Sequence, residues 1–151
     1  MGRSLKHQLV ENLEPGQWEV VERGLISAVA DLEVAKAHLK SASIVLDTDP
    51  IGSFQLTYDA ARKGIQAILL AVGIRITVGG GHYAFVRVAE SSAFRSPSFR
   101  EFRELRIHRN QVEYPSPEVA PLPPAFVLET LRHATSMIDE VDRQLKMLTD
   151  Q

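Results

Sequence analysis

The residues best suited to chemistry in this chain are two arginines and a glutamate within one predicted helix. When residues 99–113 are wound at about 100° per residue, one face of the helix is apolar and consists of Phe99, Phe102, Leu105 and Val112. Arg109 falls near the middle of that face, and Arg106 and Glu113 lie within about 60° of it. Because arginine is rarely buried without a partner, this surface predicts an ion-pair network, an oligomer interface or an active site.

Positive charge is concentrated around the same surface. From Arg95 to Arg109 the chain has five arginines, Arg103 among them, against two glutamates. Such a local excess of positive charge favours contact with phosphate. Arg103 and Arg106, with Glu113 as a pairing partner for the arginines, are therefore candidate nucleic-acid or interface residues. Arg62, at the edge of the apolar face of another predicted helix, is a further candidate. The simpler interpretation is that its aliphatic part covers the core while its head group reaches water.

Other kinds of site have weaker support in the sequence. The histidines are scattered singly, without paired-ligand spacing, so no metal site is expected. His108 projects about 100° away from Arg109 and is expected to be exposed on the polar face of its helix. The acidic residues Asp139, Glu140 and Asp142 alternate with basic residues and predict a solvated face. The absence of cysteine excludes disulfides and thiol catalysis.

Length and composition predict one ordinary domain. The chain has 151 residues, of which 44% are hydrophobic, and we expect an N-terminal segment at 1–17 followed by a single helical domain at 18–151. With a formal charge of −2, binding to nucleic acid would have to use a local patch. There is no signal-like run and no apolar stretch of roughly 18 residues. We therefore expect a cytoplasmic protein without a membrane partner or a cofactor.

Two segments have heptad periodicity, in which apolar residues alternate at spacings of four and three. The first predicts a long helix ending near Asp47, with a stripe of Val21, Leu25, Ala28, Leu32, Ala35, Leu39, Ala42 and Leu46. The second follows Pro123-Pro124 and consists of Val127, Leu131, Ala134, Ile138, Val141, Leu145 and Leu148. Sustained heptads on two separate helices indicate packing at shallow angles in a helical bundle.

Turn and cap residues delimit the remaining elements. Asp49-Pro50 is typical of an N-cap and first helical residue, and that helix can end at Gly73. The proline-rich loop at 115–124 is not helical, so the Arg109 helix ends near Glu113 or Tyr114.

The segment 74–88 is locally ambiguous. Its β-branched and aromatic residues around three glycines favour a hairpin, but an isolated two-stranded hairpin is marginally stable and no other strand in the chain could extend it into a sheet. We therefore predict a short helix over 82–92. The glycines are interpreted as a flexible turn, since the lysine and hydroxyl residue of a phosphate-binding loop are missing.

The chain resembles the HEPN superfamily (higher eukaryotes and prokaryotes nucleotide-binding) over roughly residues 18–148. The resemblance rests on 58–63 (YDAARK), on 71–75 leading into Gly80-Gly81-His82, and on Arg106 and Arg109-Asn110 near a helix end. It implies an all-α, up-and-down bundle of about five helices that forms a homodimer. Many members are metal-independent RNA-cleaving toxins or defence effectors.

The catalytic signature of that family is incomplete here. It consists of an arginine, a polar residue, and a histidine four to six residues after the arginine. Arg109 and Asn110 match the first two, whereas Tyr114 stands at the nearest position expected for the histidine. Tyrosine, with a pKa near 10, is a poor proton carrier at neutral pH.

The resemblance therefore implies a bacterial-type HEPN-like homodimer with a degenerate ribonuclease motif and with the Arg109 face at or beside its interface. Its ligand is expected to be RNA or a nucleotide, or it pairs with a nucleotidyltransferase-like or antitoxin-like protein in a toxin-antitoxin or defence setting. The alternative is an active metal-independent endoribonuclease toxin.

Overall fold

The structure is a computed structural model that describes residues 4–79, 81–114 and 122–150. Within these ranges the regular elements are six α-helices, one 3₁₀ helix and a two-stranded sheet. The α-helices are α1 (Leu5–Val10), α2 (Leu25–Val45), α3 (Pro50–Ala71), α4 (Gly81–Ala89), α5 (Phe102–Glu113) and α6 (Pro124–Thr149). The strands are β1 (Trp18–Val20) and β2 (Ile74–Ile76), and the 3₁₀ helix (Pro97–Glu101) leads directly into α5. The prediction of an all-α helical bundle is confirmed.

The bundle is centred on α2, α3 and α6, which pack against one another. The heptad stripe of α2 supplies Ala28, Leu32, Ala35, Leu39 and Ala42 to the core. The stripe of α6 supplies Val127, Leu131, Ala134, Ile138, Val141 and Leu145. Most residues of both predicted stripes are therefore buried, whereas Leu25, Leu46 and Leu148 are half-buried.

The start and end of α3 follow the predicted capping residues. The Asp49 carboxylate accepts a hydrogen bond from the backbone N–H of Gly52 (2.9 Å), and Pro50 is the first helical residue. Past the end of the helix, Gly73 has a φ of +81°. A Cβ at this position would lie 2.8 Å from the carbonyl oxygen of Val21, so glycine is required by both conformation and space.

The prediction that Val21 begins the first long helix is wrong, because α2 starts at Leu25. Residues 21–24 instead bind the C-terminal end of α3. The Val21 N–H donates to the Gly73 carbonyl (2.9 Å), the Gly24 N–H donates to the Leu70 carbonyl (3.0 Å), and Arg23 Nε donates to the Ala71 carbonyl (3.0 Å). The bond from Arg23 satisfies the carbonyl of Ala71 at the end of α3, and the three bonds together hold residues 21–24 in a non-helical conformation.

The segment 74–88 combines both of its predicted conformations. Its second half is helical as predicted, although α4 ends at Ala89 rather than at residue 92. The expectation that no strand could pair with the first half is wrong, because β2 pairs antiparallel with β1, with Trp18 opposite Ile76 and Val20 opposite Ile74. Of the predicted glycine turn, residue 80 lies outside the described residues.

The N-terminal helix α1 contributes to the same core as the long helices, since Leu9 is fully buried. The predicted non-helical loop at 115–124 lies outside the described residues over 115–121, and α6 begins at Pro124. Among the described residues, no helix combines the length and the apolar character that crossing a bilayer requires.

Candidate functional site: an arginine surface on α3, α4 and α5

Arg109 lies on the side of α5 that faces α3. Phe102 and Leu105 are the buried residues on the apolar face of α5. The Tyr58 ring from α3 stacks on the Phe102 ring, with the ring centroids 5.5 Å apart. The Arg109 guanidinium lies over the same tyrosine, with Cζ 5.8 Å from the ring centroid. The predicted apolar face therefore exists, and Arg109 occupies its solvent-facing end as a half-buried residue.

The Tyr58 hydroxyl is the most unusual polar group beside Arg109. Tyr58 is only 4% exposed, and its hydroxyl has no hydrogen-bond partner among the described residues. Burial raises the pKa of this hydroxyl above its ordinary value, although the charges of Arg109, Arg106 and Arg62 oppose the shift. It is therefore protonated near neutral pH and can donate a hydrogen bond.

Arg106 lies on α5 beside a second tyrosine. The Tyr83 ring of α4 is surrounded by three guanidinium groups, with Cζ of Arg106 at 5.2 Å from its centroid, Arg103 at 5.3 Å and Arg87 at 5.6 Å. Tyr83 is not predicted as a site residue from the sequence, because β-branched and aromatic neighbours make its segment resemble a strand. A signal was present in the spacing of Tyr83 and Arg87, which are adjacent on one helical face.

Two of the arginines around Tyr83 have acidic partners. Arg103 forms a bidentate pair with Glu90, with Nε and Nη2 at 2.9 and 2.7 Å from the two carboxylate oxygens. The hydrogen bonds from Arg103 lower the pKa of Glu90 below its ordinary value. Arg87 lies 3.6 Å from a carboxylate oxygen of Glu14.

Arg62 is also paired, within α3. Its guanidinium donates to Asp59 (3.0 Å) and to the side-chain oxygen of Gln66 (3.1 Å). The same Asp59 carboxylate lies 3.2 Å from Nε2 of His38 and 3.6 Å from Nζ of Lys63. The Arg62 head group is therefore held by neighbouring side chains on its own helix and is still partly exposed.

Arg106 and Arg109 differ from these three arginines. Neither side chain forms an ion pair or a hydrogen bond with any described residue, and Nε of Arg106 is buried without a partner. Each is held by contact with one tyrosine ring. We refer to Arg106 and Arg109 with Tyr58 and Tyr83 as the arginine surface.

A cavity of about 260 Å³ lies beside Arg109 and is lined by Gln55, Tyr58, Asp59, Arg62, Arg109 and Glu113. Glu113 is exposed, so it does not share the buried face in the way its helical position suggested. Arg109, which has no partner among the described residues, can bind an anionic group in this cavity, where the carboxylates of Asp59 and Glu113 oppose it.

The remaining positions of the family signature lie at the end of α5. Asn110 is half-buried, and its carbonyl accepts the N–H of Tyr114, which caps the helix. The Tyr114 side chain is 76% exposed.

The expectation that His108 is exposed is wrong. Its ring is half-buried between Phe126, with centroids 4.6 Å apart, and Phe54, at 6.4 Å. His108 faces α6, where it lines a cavity of about 120 Å³ together with His133. It does not line the cavity beside Arg109.

The expectation that residues 139–142 form a solvated acidic face is also wrong for one member. Glu140 is buried, and its carboxylate accepts hydrogen bonds from the backbone N–H groups of Arg95 and Ser96. It fixes the turn that precedes α5. No cluster of three or more potential metal ligands occurs within the described part of the chain.

Comparison with known proteins gives no relative from which a function could be transferred. No protein-family model, curated protein or solved structure matches this chain.

Proposed function

We propose that this protein is a bacterial-type HEPN-like protein that binds single-stranded RNA without cleaving it, and that the arginine surface contacts the phosphate backbone. The proposal is supported first by the sequence resemblance around Arg109-Asn110. It is supported next by the lack of an anionic partner for Arg106 and Arg109 among the described residues.

The observation that carries the proposal is that Arg106 and Arg109 have no anionic partner among the described residues. A partly desolvated guanidinium without a counter-charge is unfavourable, and a phosphate group supplies charge-assisted, often bidentate, hydrogen bonds. Tyr83 is 40% exposed, and its ring lies among three guanidinium groups. Alternating guanidinium and aromatic groups are typical of surfaces that bind RNA.

The absence of cleavage is proposed from the groups beside Arg109. General acid-base catalysis near neutral pH most often uses histidine. None of the side chains that line the Arg109 cavity is a histidine, and Tyr114 projects into solvent. These groups can hold a phosphate, whereas they are poorly suited to moving the proton of an attacking 2′-hydroxyl.

The binding test is fluorescence anisotropy with a labelled single-stranded RNA of about 16 nucleotides, titrated at several salt concentrations. We expect binding by the wild type, and a strong loss of affinity in Arg106→Ala/Arg109→Ala. Since each lost phosphate contact flattens the dependence of log K on log salt by about 0.7, the double variant should be less steep by about 1.4. Arg132→Ala is the matched control, because Arg132 is an exposed arginine on α6, a helix that does not contribute to the arginine surface.

The same RNA, incubated without metal and analysed on a gel, tests the second half of the proposal. The wild type should leave it intact. If the wild type binds no RNA, or if the control loses as much affinity as the double variant, RNA binding by this surface is refuted. Cleavage by the wild type that Arg109→Ala abolishes would instead favour the endoribonuclease toxin.

A further inference from the structure

A cavity of about 480 Å³ lies between α1, the C-terminal half of α6 and residues 92–95. Its volume is within the range of sites that hold small molecules, which is about 300–1,000 Å³. None of its described lining residues belongs to the arginine surface. An inference drawn from this cavity is therefore independent of RNA binding.

One face of α6 supplies half of the described lining. Its residues lie three or four positions apart, so they project from the same side of the helix, and they are Glu140, Arg143, Gln144, Met147 and Leu148. The charged residues come first along the chain, and the apolar residues follow one turn later. This wall of the cavity therefore changes from charged to apolar along the helix axis.

Two guanidinium groups line the cavity without an acidic partner. Arg95 and Arg143 are exposed, and neither side chain forms an ion pair or a hydrogen bond with any described residue. Both arise beside the same carboxylate. Glu140 is three residues before Arg143 on α6, and it accepts a hydrogen bond from the backbone N–H of Arg95.

The Glu140 carboxylate does not pair with either guanidinium group because its oxygens have other donors. They accept from the backbone N–H groups of Arg95 (2.9 Å) and Ser96 (2.6 Å) and from Nε2 of Gln144 (2.9 Å). Gln144 Nε2 also donates to the Ala93 carbonyl (3.1 Å), which fixes the same wall. The framework of the cavity is therefore held by hydrogen bonds, and its two guanidinium groups stay available to an anion.

The cavity also has an apolar patch, which consists of Leu5 from α1 with Met147 and Leu148 from α6. Leu5 and Leu148 are half-buried at the edge of the core, whereas Met147 is 67% exposed. Methionine is a flexible apolar side chain that adapts to the shape of what it contacts. An aliphatic group in the cavity would cover this patch and remove apolar surface from water.

We propose that this cavity binds a small monocarboxylate with an aliphatic chain. The carboxylate lies against Arg95 and Arg143, where guanidinium groups supply charge-assisted hydrogen bonds. The aliphatic chain lies against the apolar patch.

The charge of the lining favours a ligand with a single negative charge. Arg95 and Arg143 against Glu140 leave one positive charge among the described lining residues. A carboxylate neutralises that charge. A phosphate monoester, with a charge of about −1.5 to −2 at pH 7, exceeds it.

Isothermal titration calorimetry of the full chain with octanoate tests the class of ligand. We expect saturable binding with a dissociation constant below about 1 mM. Acetate keeps the carboxylate and lacks the chain, whereas octylamine keeps the chain and reverses the charge. Both should bind at least about tenfold more weakly than octanoate, and octyl phosphate should bind no more tightly than octanoate.

Arg95→Gln and Arg143→Gln test the position of the site, since each removes one charge and keeps a polar side chain. Each should raise the dissociation constant of octanoate by at least about fivefold. Met147→Gln should also weaken octanoate, by at least about threefold, because it makes the apolar patch polar. Arg132→Gln is the matched control, because Arg132 is an exposed arginine of the same helix that does not line the cavity.

Circular dichroism checks that every variant is folded, and the ligand series on the wild type needs no variant. The proposal is overturned if octanoate does not bind, or if octylamine or octyl phosphate binds more tightly than octanoate. It is also overturned if Arg132→Gln loses as much affinity for octanoate as Arg95→Gln and Arg143→Gln do.

Discussion

At the scale of single residues, the Tyr58 hydroxyl is buried at a cost that the described residues do not compensate. A buried polar group without a hydrogen bond typically lowers stability by about 1–3 kcal/mol. We therefore expect Tyr58→Phe to raise the free energy of unfolding by about 1 kcal/mol, since the ring and its stacking on Phe102 are kept. Urea denaturation measures this change.

The same substitution should leave RNA binding unchanged, because the hydroxyl is buried and the ring that contacts Arg109 is kept. A loss of stability in Tyr58→Phe would mean that the hydroxyl has a partner in the folded protein.

The Glu90–Arg103 pair makes stability depend on pH. Because hydrogen bonds from Arg103 lower the pKa of Glu90 below its ordinary value of 4.5, the ionised carboxylate favours folding. This contribution is fully present above pH 4.5 and is lost as the pH falls through the lower value of the folded state. We expect Glu90→Gln to be less stable than the wild type at neutral pH, with the difference shrinking in acid.

Denaturant titrations of the wild type and of Glu90→Gln, from neutral pH down to about pH 3, measure how the difference between their free energies of unfolding shrinks. Glu129→Gln is a suitable control, since Glu129 is an exposed carboxylate whose nearest basic contact is His133 at 4.0 Å. A Glu90→Gln deficit that is the same at every pH would show that the carboxylate acts by its shape alone.

At the scale of elements, α3 and α6 approach each other closely at Gly64. A Cβ added there would lie 2.5 Å from Cδ1 of Ile138, a buried residue of α6. Removing that methyl group in Ile138→Val should cost about 0.5–1.5 kcal/mol in the wild type. In a Gly64→Ala background the same change should cost much less, or should stabilise, because it relieves the contact.

A double-mutant cycle in urea separates this coupling from the helix propensity of alanine, which contributes equally in both backgrounds. We expect a coupling energy of about 1 kcal/mol or more. An Ile138→Val effect that is the same in both backgrounds would mean that α3 and α6 can separate at this point without cost.

At the scale of the whole molecule, α1 belongs to the core, although the sequence predicts a helical domain that begins only at residue 18. Leu9 is fully buried, so Leu9→Ala should lower the free energy of unfolding by about 2–5 kcal/mol. Val78→Ala is the control, because Val78 is fully exposed and its truncation should change stability by less than about 0.5 kcal/mol. Equal effects of the two substitutions would show that α1 does not contribute to stability.

The features that the sequence determined are those set by neighbours within one or two helical turns. The heptad stripes of α2 and α6, the cap at Asp49-Pro50 and the position of Arg109 on an apolar face all follow from helical spacing and local hydrogen bonding. These patterns were sufficient to predict the class of fold and to direct attention to the α5 surface.

Contacts between distant segments decided the rest. β2 is a strand because β1, more than fifty residues earlier, supplies its hydrogen bonds. His108 is half-buried because Phe54 and Phe126, from two other helices, pack against its ring. Arg106 and Arg109 differ from the neighbouring arginines in lacking an acidic partner among the described residues, which only the folded structure shows. Periodicity shows which face of a helix is apolar, but burial and charge pairing depend on what the fold brings against that face, and this is decided only by the tertiary structure.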